Sequence, residues 1–339
     1  MPNYDIAIIG AGITGITCAL ELKKLGKKVI ILEKSRGVGG RLATRRLYKT
    51  YADHGTCYLS AKNPQFQQFI DRLITADIVI PWTNTVSTLA HDGQFSQAPD
   101  IYPRYIAPGG MSSIAKYLAV DLDIRLNHKA TSIEAVDNSW RISIDSELDI
   151  YAKTVISTIP APQALALIAP IEQILPAEFI QQLKSVEFNP NITIMAGYTP
   201  AQLADWYANY PAACAVTCLE DPHLAWLGVD SSKRLANAPP LFVLQSTSKF
   251  AEHHLAQKDQ QPATTALLNQ AGARFLPWLA HPQWQQTQLW RYAFAKTPLK
   301  VTHLSIEHPA PLIFTGDWCG GAKVENAMLA GLAVAKLFK

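Results

Sequence analysis

The apolar positions of this chain change period along its length, and each change predicts an element. Ile6, Ala7, Ile8 and Ile9 form a short continuous apolar run, which is how a strand buried on both faces reads. Ile13, Ile16 and Leu20 then recur at helical spacing, and Gly26 stands where that helix stops. Residues 29–32 are a second apolar run, closed by Glu33. Further on, Asn63-Pro64 predicts an N-cap and first-turn proline for a helix whose core stripe is Phe66, Phe69, Ile70 and Leu73. Residues 78–103 read as strand and turn, with Asp92-Gly93 as the hairpin signal. A loop at Pro108-Gly109-Gly110-Met111 leads into a helix at 112–118. Short strands follow at 124–126, 130–136 and 140–144, with Asp137-Asn138 as a turn. The β-branched run 153–159 ends at Pro160-Ala161-Pro162, because proline cannot continue a central strand. From 166 to 300 helical patches alternate with strands at 191–197, 225–229 and 241–246. Trp278, Trp284, Trp290 and Tyr292 crowd the end of that region and read as packing residues. A last strand at 311–315 precedes a helix at 324–338.

The first of these junctions carries chemistry. Gly10-Ala11-Gly12-Ile13-Thr14-Gly15 lies between strand and helix, and the acidic Glu33 closes the next strand about 20 residues on, so the unit reads as a βαβ dinucleotide site. Gly10 allows the tight turn, Gly12 lets the backbone approach a pyrophosphate, and Gly15 lets helix pack on strand. The helix N-terminus offers unpaired N–H groups and a partial positive charge to the diphosphate. Glu33 is placed to accept hydrogen bonds from a ribose diol.

A second glycine cluster, Gly37-Val38-Gly39-Gly40-Arg41-Leu42, follows directly. It predicts a ligand that continues past its diphosphate, with Arg41 a fixed charge for a phosphate or a polar ring edge. A nicotinamide dehydrogenase has no need of that extension, so the cofactor read from the chain is FAD. Near the other end, Gly316-Asp317 followed by Gly320-Gly321 and a helix recreates the same anion-binding geometry. Asp317 is placed to hold a sugar-alcohol hydroxyl, or alternatively to cap the final helix.

Bulk properties narrow the partners. The 339 residues exceed one ordinary domain and point to two interleaved lobes. With 30 basic against 27 acidic residues and a net charge of +3, the balance argues against nucleic acid. The chain enters a strand almost at once, without a basic leader, and its most apolar window is too short to span a bilayer. A cytoplasmic protein with no membrane segment is the expectation. Five cysteines, Cys18, Cys57, Cys214, Cys218 and Cys319, lack paired spacing, so no disulfide framework and no metal site are expected.

Taken together, the glycine fingerprint, Gly39-Gly40-Arg41, Gly109-Gly110-Met111, Ile159-Pro160 and Thr315-Gly316-Asp317 resemble the flavin amine oxidase superfamily. Within it, the stretch from Lys34 to Arg46, Asp230-Ser231-Ser232-Lys233, Trp290-Arg291-Tyr292-Ala293 and the 316–321 segment look most like the bacterial renalases. This resemblance implies an α/β fold: a glutathione reductase-like, Rossmann-type FAD-binding domain with a second, mixed-sheet α+β substrate domain. The expected division is 1–75, 105–165 and 301–339 for the first and 76–104 and 166–300 for the second. It also implies that Thr14 and Arg41 contact the FAD phosphates or flavin, Glu33 the adenosine ribose, and Ala130 the adenine through its backbone. Tyr58 and Leu59 then lie beside the isoalloxazine, Asp317 holds the ribitol or diphosphate, and Val324 gives its N–H to the pyrimidine oxygen. Ile13, Lys34, Gly40, Leu42, Cys57, Thr158 and Gly316 complete the expected cofactor set.

The implied activity is oxidation of 2- or 6-dihydro isomers of NAD(P)H, with hydride passed to flavin N5 and electrons passed on to O2, giving H2O2. Such a transfer needs no acid or base, since the product is already an aromatic cation. That suits a chain with no compelling catalytic triad or carboxylate pair. Tyr58, Gln245 and Trp290 are the candidate substrate wall. Four positions depart from the family pattern: Cys57 stands where glutamine is common, Gln245 where histidine is expected, Gln288-Leu289 replace His-Arg, and Asn326 replaces a glycine. Two other readings are a true amine oxidase, with an aromatic pocket for a neutral amine, and an FAD-binding protein without catalysis. Noncovalent FAD is expected, because nothing in the chemistry around Cys57 or Cys319 points to attachment.

Overall fold

The computed structural model describes residues 3–145, 149–234 and 237–339. The chain divides into two compact units, Met1–Leu42 with Ile114–Phe188 and Phe294–Lys339, and Ala43–Ser113 with Asn189–Ala293.

In the first unit the apolar runs at the N-terminus pair as parallel strands. Tyr4–Ile9 lies between Ile150–Ser157 and Val29–Glu33, with Leu312–Phe314 and Ile124–Leu126 outside them and Leu304–Ile306 antiparallel at one edge. Such central strands are covered on both faces, which is why they read as continuous apolar runs. One face holds Ala7, Ile9, Ile30 and Val155 with Trp140 and Phe314; the other holds Ile6, Ile8, Ile31 and Ile156 with Leu22 and Val334. The antiparallel Ala130–Val136 and Ser139–Ile144 are joined at Asp137-Asn138, both of which take positive φ. The helix Ile13–Lys24 buries Ile13, Ile16, Cys18, Ala19 and Leu22, so its inner face is turned slightly from the expected stripe and Leu20 is only half-buried.

The second unit is a seven-stranded mixed sheet. Its order is Trp284–Ala295, Phe188–Gly197, Leu241–Ser246, Leu224–Val229, Ala215–Cys218, Ile80–Leu89 and Phe95–Ile106. The expected hairpin is the antiparallel pair Ile80–Leu89 and Phe95–Ile106, with Gly93 at φ +90. Pro64–Thr75 is a helix as expected, with the Asn63 side chain accepting from the Gln65 N–H and the Phe66, Phe69, Ile70, Leu73 stripe buried. Trp284 and Trp290 belong to an edge strand that the aromatic crowding did not reveal, whereas Trp278 packs against Tyr198 and Phe242.

The unit boundaries differ from the expected domains in three places, one of them the short segment 294–300, which clusters with the first unit. Residues 43–75 and 105–113 cluster with the second unit, because the hairpin Thr44–Leu47 and Thr50–Asp53 is tied there by buried ion pairs from Asp53, and Leu59 bridges to Tyr105. Residues 166–188 cluster with the first, because Ile168, Ile171, Leu175, Phe179, Leu183 and Val186 join the core of Phe314 and Trp318. A glycine fingerprint does not say which core an amphipathic segment will enter.

The closing helix Val324–Ala335 crosses Ile13–Lys24 at Gly331, where an added Cβ would lie 2.4 Å from the Thr14 carbonyl oxygen. Backbone opposes that methyl, so Gly331→Ala should destabilise the chain by about 1–3 kcal/mol, as overpacking does. Urea unfolding of the two proteins checks this, and an unchanged midpoint would show that the helices can part at no cost.

Candidate functional site

The glycine turn of the first unit has the form a diphosphate requires. Gly10 takes φ +104, and an added Cβ on Gly15 would sit 2.2 Å from the Gly10 carbonyl oxygen, so helix and strand touch backbone to backbone. Around the Cβ position of Gly12 nothing lies within 4 Å. That open side, at the mouth of a helix whose first backbone bond runs from Ile16 N–H to Gly12 C=O, fits a phosphate group. The second glycine cluster folds against the first. Gly39 bridges to Gly12, its N–H donates to Ala11 C=O at 2.8 Å, and Gly40 lies against the Gly12 Cα. Leu42 is buried behind them, with its N–H on Gly39 C=O.

Glu33 is 7% exposed, and its carboxylate is held in place by the Ala11 N–H at 2.8 Å and the Ser35 N–H at 2.8 Å. Each oxygen keeps a lone pair for a ribose hydroxyl. Asn127 N–H and His128 N–H reach Ser35 and Glu33 carbonyls, bringing the chain just before Ala130 beside that carboxylate. Lys34 is exposed, with Nζ 3.4 Å from Gln163 Oε1.

Several expected cofactor residues are engaged with the protein itself. The Thr14 hydroxyl donates to Ala327 C=O at 2.8 Å, which leaves its backbone N–H, with that of Ile13, for a phosphate. The Thr158 hydroxyl lies 3.0 Å from both Ile9 and Gly10 carbonyls, bracing the turn from behind. Arg41 and Asp317, assigned separately from the sequence, form a two-pronged ion pair at 2.7 and 2.5 Å, with the Asp317 side chain 5% exposed. Gly316 and Asp317 open a short helix, Asp317–Gly320, and the final helix begins at Val324 with Lys323 as its N-cap. Asp317 therefore does not cap the final helix. The open face at Gly12, the fixed Glu33 carboxylate and the Arg41–Asp317 pair suit an FAD diphosphate and ribose; the chain offers glycine backbone and one guanidinium, the donor set such a group needs.

Tyr58, Gln245 and Trp290, the expected wall, all fall in the second unit, with Cys57 and Leu59. The segment from Asp53 to Leu59 is held at many points. Trp290 Nε1 donates to His54 C=O at 2.9 Å, and the two rings stack at 5.3 Å. Gln245 Nε2 donates to Gly55 C=O at 3.0 Å and lies 3.6 Å from Cys57 Sγ. Tyr58 packs on Trp226 at 5.5 Å and Trp82 at 6.5 Å, with the Arg104 guanidinium 4.7 Å from its ring centre. Leu59 exchanges both backbone bonds with Tyr105. Two ionisable groups here are held in one state. Burial, reinforced by the Arg45 charge, pulls the His54 imidazole down to about 4, so it is neutral near pH 7, and burial pushes the Cys57 thiol up to about 12.

The sequence did not reveal the cluster that anchors this segment. Asp53, Asp230, Lys233 and Arg234 are buried together: Arg234 reaches both carboxylates at 2.7 Å, and Lys233 reaches Asp230 at 2.6 Å and Asp53 at 3.5 Å. Asp53 also accepts from Met111 N–H at 2.8 Å and the Thr44 hydroxyl at 2.7 Å. Lys233 sits 5.4 Å from the Trp82 ring centre and Arg234 lies 4.6 Å from that of Tyr51. Asp230, Lys233 and Arg234 stand close together in the chain, but nothing in the sequence pairs them with the distant Asp53.

Burial alone would raise the Asp53 pKa, but Lys233 and Arg234 outweigh it and hold it below its ordinary value; burial would lower Lys233, and the two aspartates hold it above. A depressed carboxylate adds stability above its unfolded pKa and loses it on acidification; a raised ammonium adds stability below its unfolded pKa and loses it as pH rises. The cluster thus stabilises between about pH 4 and pH 10 and weakens on either side. Arg234→Met, which strands buried carboxylates, should cost about 3–5 kcal/mol at pH 7. Urea unfolding measures it, and wild-type stability in the variant would show that the network contributes nothing.

Among the described residues no helix is long and apolar enough to cross a membrane. The model for a flavin containing amine oxidoreductase matches residues 88–337, and that for an NAD(P)-binding Rossmann-like domain matches residues 8–73. Renalase of Mus musculus is 25% identical, over 98% of this chain and 98% of its own. Wild-type putrescine oxidase bound to putrescine has a similar fold, with a TM-score of 0.74 at 14% identity over 98% of both chains. So does cyclohexylamine oxidase from Brevibacterium oxydans, with a TM-score of 0.74 at 14% identity over 99% of both. The chain belongs to the flavin-containing amine oxidoreductase family, as an FAD-dependent oxidoreductase that is renalase-like along its length.

Proposed function

We propose that this chain oxidises 2- or 6-dihydro isomers of NAD(P)H to NAD(P)+, with O2 as the electron acceptor and H2O2 as the second product. FAD, when bound, supplies the hydride acceptor at N5 and returns the electrons to O2. The first unit's residues bind it: Gly12, Ile13 and Thr14 N–H groups for the diphosphate, Glu33 for the adenosine ribose, Ala130 through its backbone for adenine, and Arg41, Asp317 and Val324 for the remainder. The second unit's Tyr58, Gln245 and Trp290 serve as the substrate wall.

The neutral state of His54 and Cys57 beside that wall carries this reading. A dihydropyridine that gives up hydride becomes an aromatic cation and has no proton to surrender, so its wall needs flat apolar surface and uncharged hydrogen-bonding groups but no base. His54 and Cys57 are held neutral, and the buried aspartates are matched by Lys233 and Arg234. The whole-length likeness to the murine renalase supports the same choice. Amine oxidation is the second reading, favoured by the family description.

Anaerobic mixing decides between them. A 2- or 6-dihydronicotinamide dinucleotide should bleach the visible flavin absorbance, and readmitted O2 should restore it with one H2O2 per turnover; putrescine and benzylamine should leave it unchanged. Bleaching by an amine but by no dinucleotide would reverse the assignment. Acid precipitation should release the yellow colour to the supernatant, as noncovalent FAD requires.

A further inference from the structure

Gln245 breaks the alternation of its own strand. Phe242 and Leu244 enter one apolar cluster of the second unit, and Leu241 and Val243 enter another with Leu47, Ala52, Cys57 and Met195. Gln245 continues the second row, where an apolar side chain would complete the pattern. It is half-buried, between Thr193 and Trp226 on the neighbouring strands. A polar residue at such a position is retained for what its two ends do.

The two ends are unequal. Gly55 C=O can only accept, so the amide end facing it must be nitrogen; turning the amide over would set oxygen against oxygen. The Cys57 sulfur lies 3.6 Å from the same nitrogen. Oε1 is therefore the end left over, and among the described residues it accepts no hydrogen bond. Both departures from the family pattern noted in the sequence, Cys57 and Gln245, meet here. The amide carried by one strand fixes the loop and leaves an acceptor over, on a residue paired in register with Trp226, whose ring packs on Tyr58.

We propose that Gln245 is a specificity-determining residue, whose fixed Oε1 accepts a hydrogen bond from the carboxamide N–H of a dihydronicotinamide ring. This rests on the substrate class proposed above and adds to it the group that is recognised. A primary carboxamide offers both a donor and an acceptor, and only its donor can satisfy this oxygen. A methyl ketone in the same place keeps the carbonyl and loses the N–H.

The test compares 6-dihydro-NAD with its 3-acetylpyridine counterpart in the FAD-loaded wild type, Gln245→Leu and Gln245→His. Equilibrium affinities of the two oxidised dinucleotides are measured beside kcat and KM. The wild type should favour the carboxamide by about 10- to 100-fold, chiefly in KM and Kd, the size expected for one donor lost against a fixed acceptor. Gln245→Leu should bring the two within about twofold of one another relative to that preference, and the ratio of ratios cancels the intrinsic difference between the rings. Gln245→His, assayed at about pH 8.5 where the ring is neutral, keeps one donor for Gly55 and one acceptor, and should retain the preference. Equal affinity of the wild type for both dinucleotides, or a preference that survives in Gln245→Leu, overturns the proposal. If Gln245→Leu does not fold, the wild-type affinities and Gln245→His decide alone. If neither dinucleotide reduces the flavin, the substrate reading itself fails, and this inference with it.

Discussion

Backbone pressed against backbone at the glycine turn is the constraint on which the first unit depends. Gly15 meets the Gly10 carbonyl and Gly331 meets the Thr14 carbonyl, so two helices approach the same turn without side chains between them. Thr158 braces that turn from the neighbouring strand through both Ile9 and Gly10 carbonyls. These contacts aim the first N–H groups of Ile13–Lys24 outward past Gly12, where no side chain intrudes. Anion binding here is thus a consequence of packing: the same glycines that let helix and strand touch leave the amides uncovered.

The second unit solves its positioning problem by another route. Its segment 53–59 has little regular hydrogen bonding of its own, and it is fixed by polar anchors at each end. Asp53 is the first anchor, held by two cations, a hydroxyl and an amide N–H. The carbonyls of His54 and Gly55 are taken by Trp290 and Gln245, and Leu59 is bridged to Tyr105. Such anchors cost desolvation and offer little net stability over an apolar core, but they define one conformation, which an apolar loop of this length would lack.

Legibility in the sequence followed the range of the forces involved. The turn at Gly10 to Gly15, the helix cap at Asn63 and the hairpin at Asp92-Gly93 are local, and their residues announce them. The edge strand Trp284–Ala295 hid because its aromatic run alternates weakly and half-buries most of its side chains. Arg41 and Asp317 each read as ligands of a cofactor, yet their pairing across 276 residues has no sequence signal. In the four-residue ion cluster it is the distant partner Asp53 that was hidden for the same reason. Asp53 and Lys233 are ordinary surface residue types until a fold buries them together.

Position 245 shows what the departures from a family pattern mean when read in three dimensions. Taken one at a time, a cysteine in place of glutamine and a glutamine in place of histidine look like losses of polar function. In the structure they touch, and the amide missing from the loop at 57 is supplied from the strand at 245. The amide holds the Gly55 carbonyl and leaves over an uncharged acceptor that does not titrate, near His54 and Cys57, which are held neutral. Under the proposed function, selection by these groups would depend on shape and hydrogen-bond direction rather than charge, which is how an uncharged ring is sorted from its isosteres.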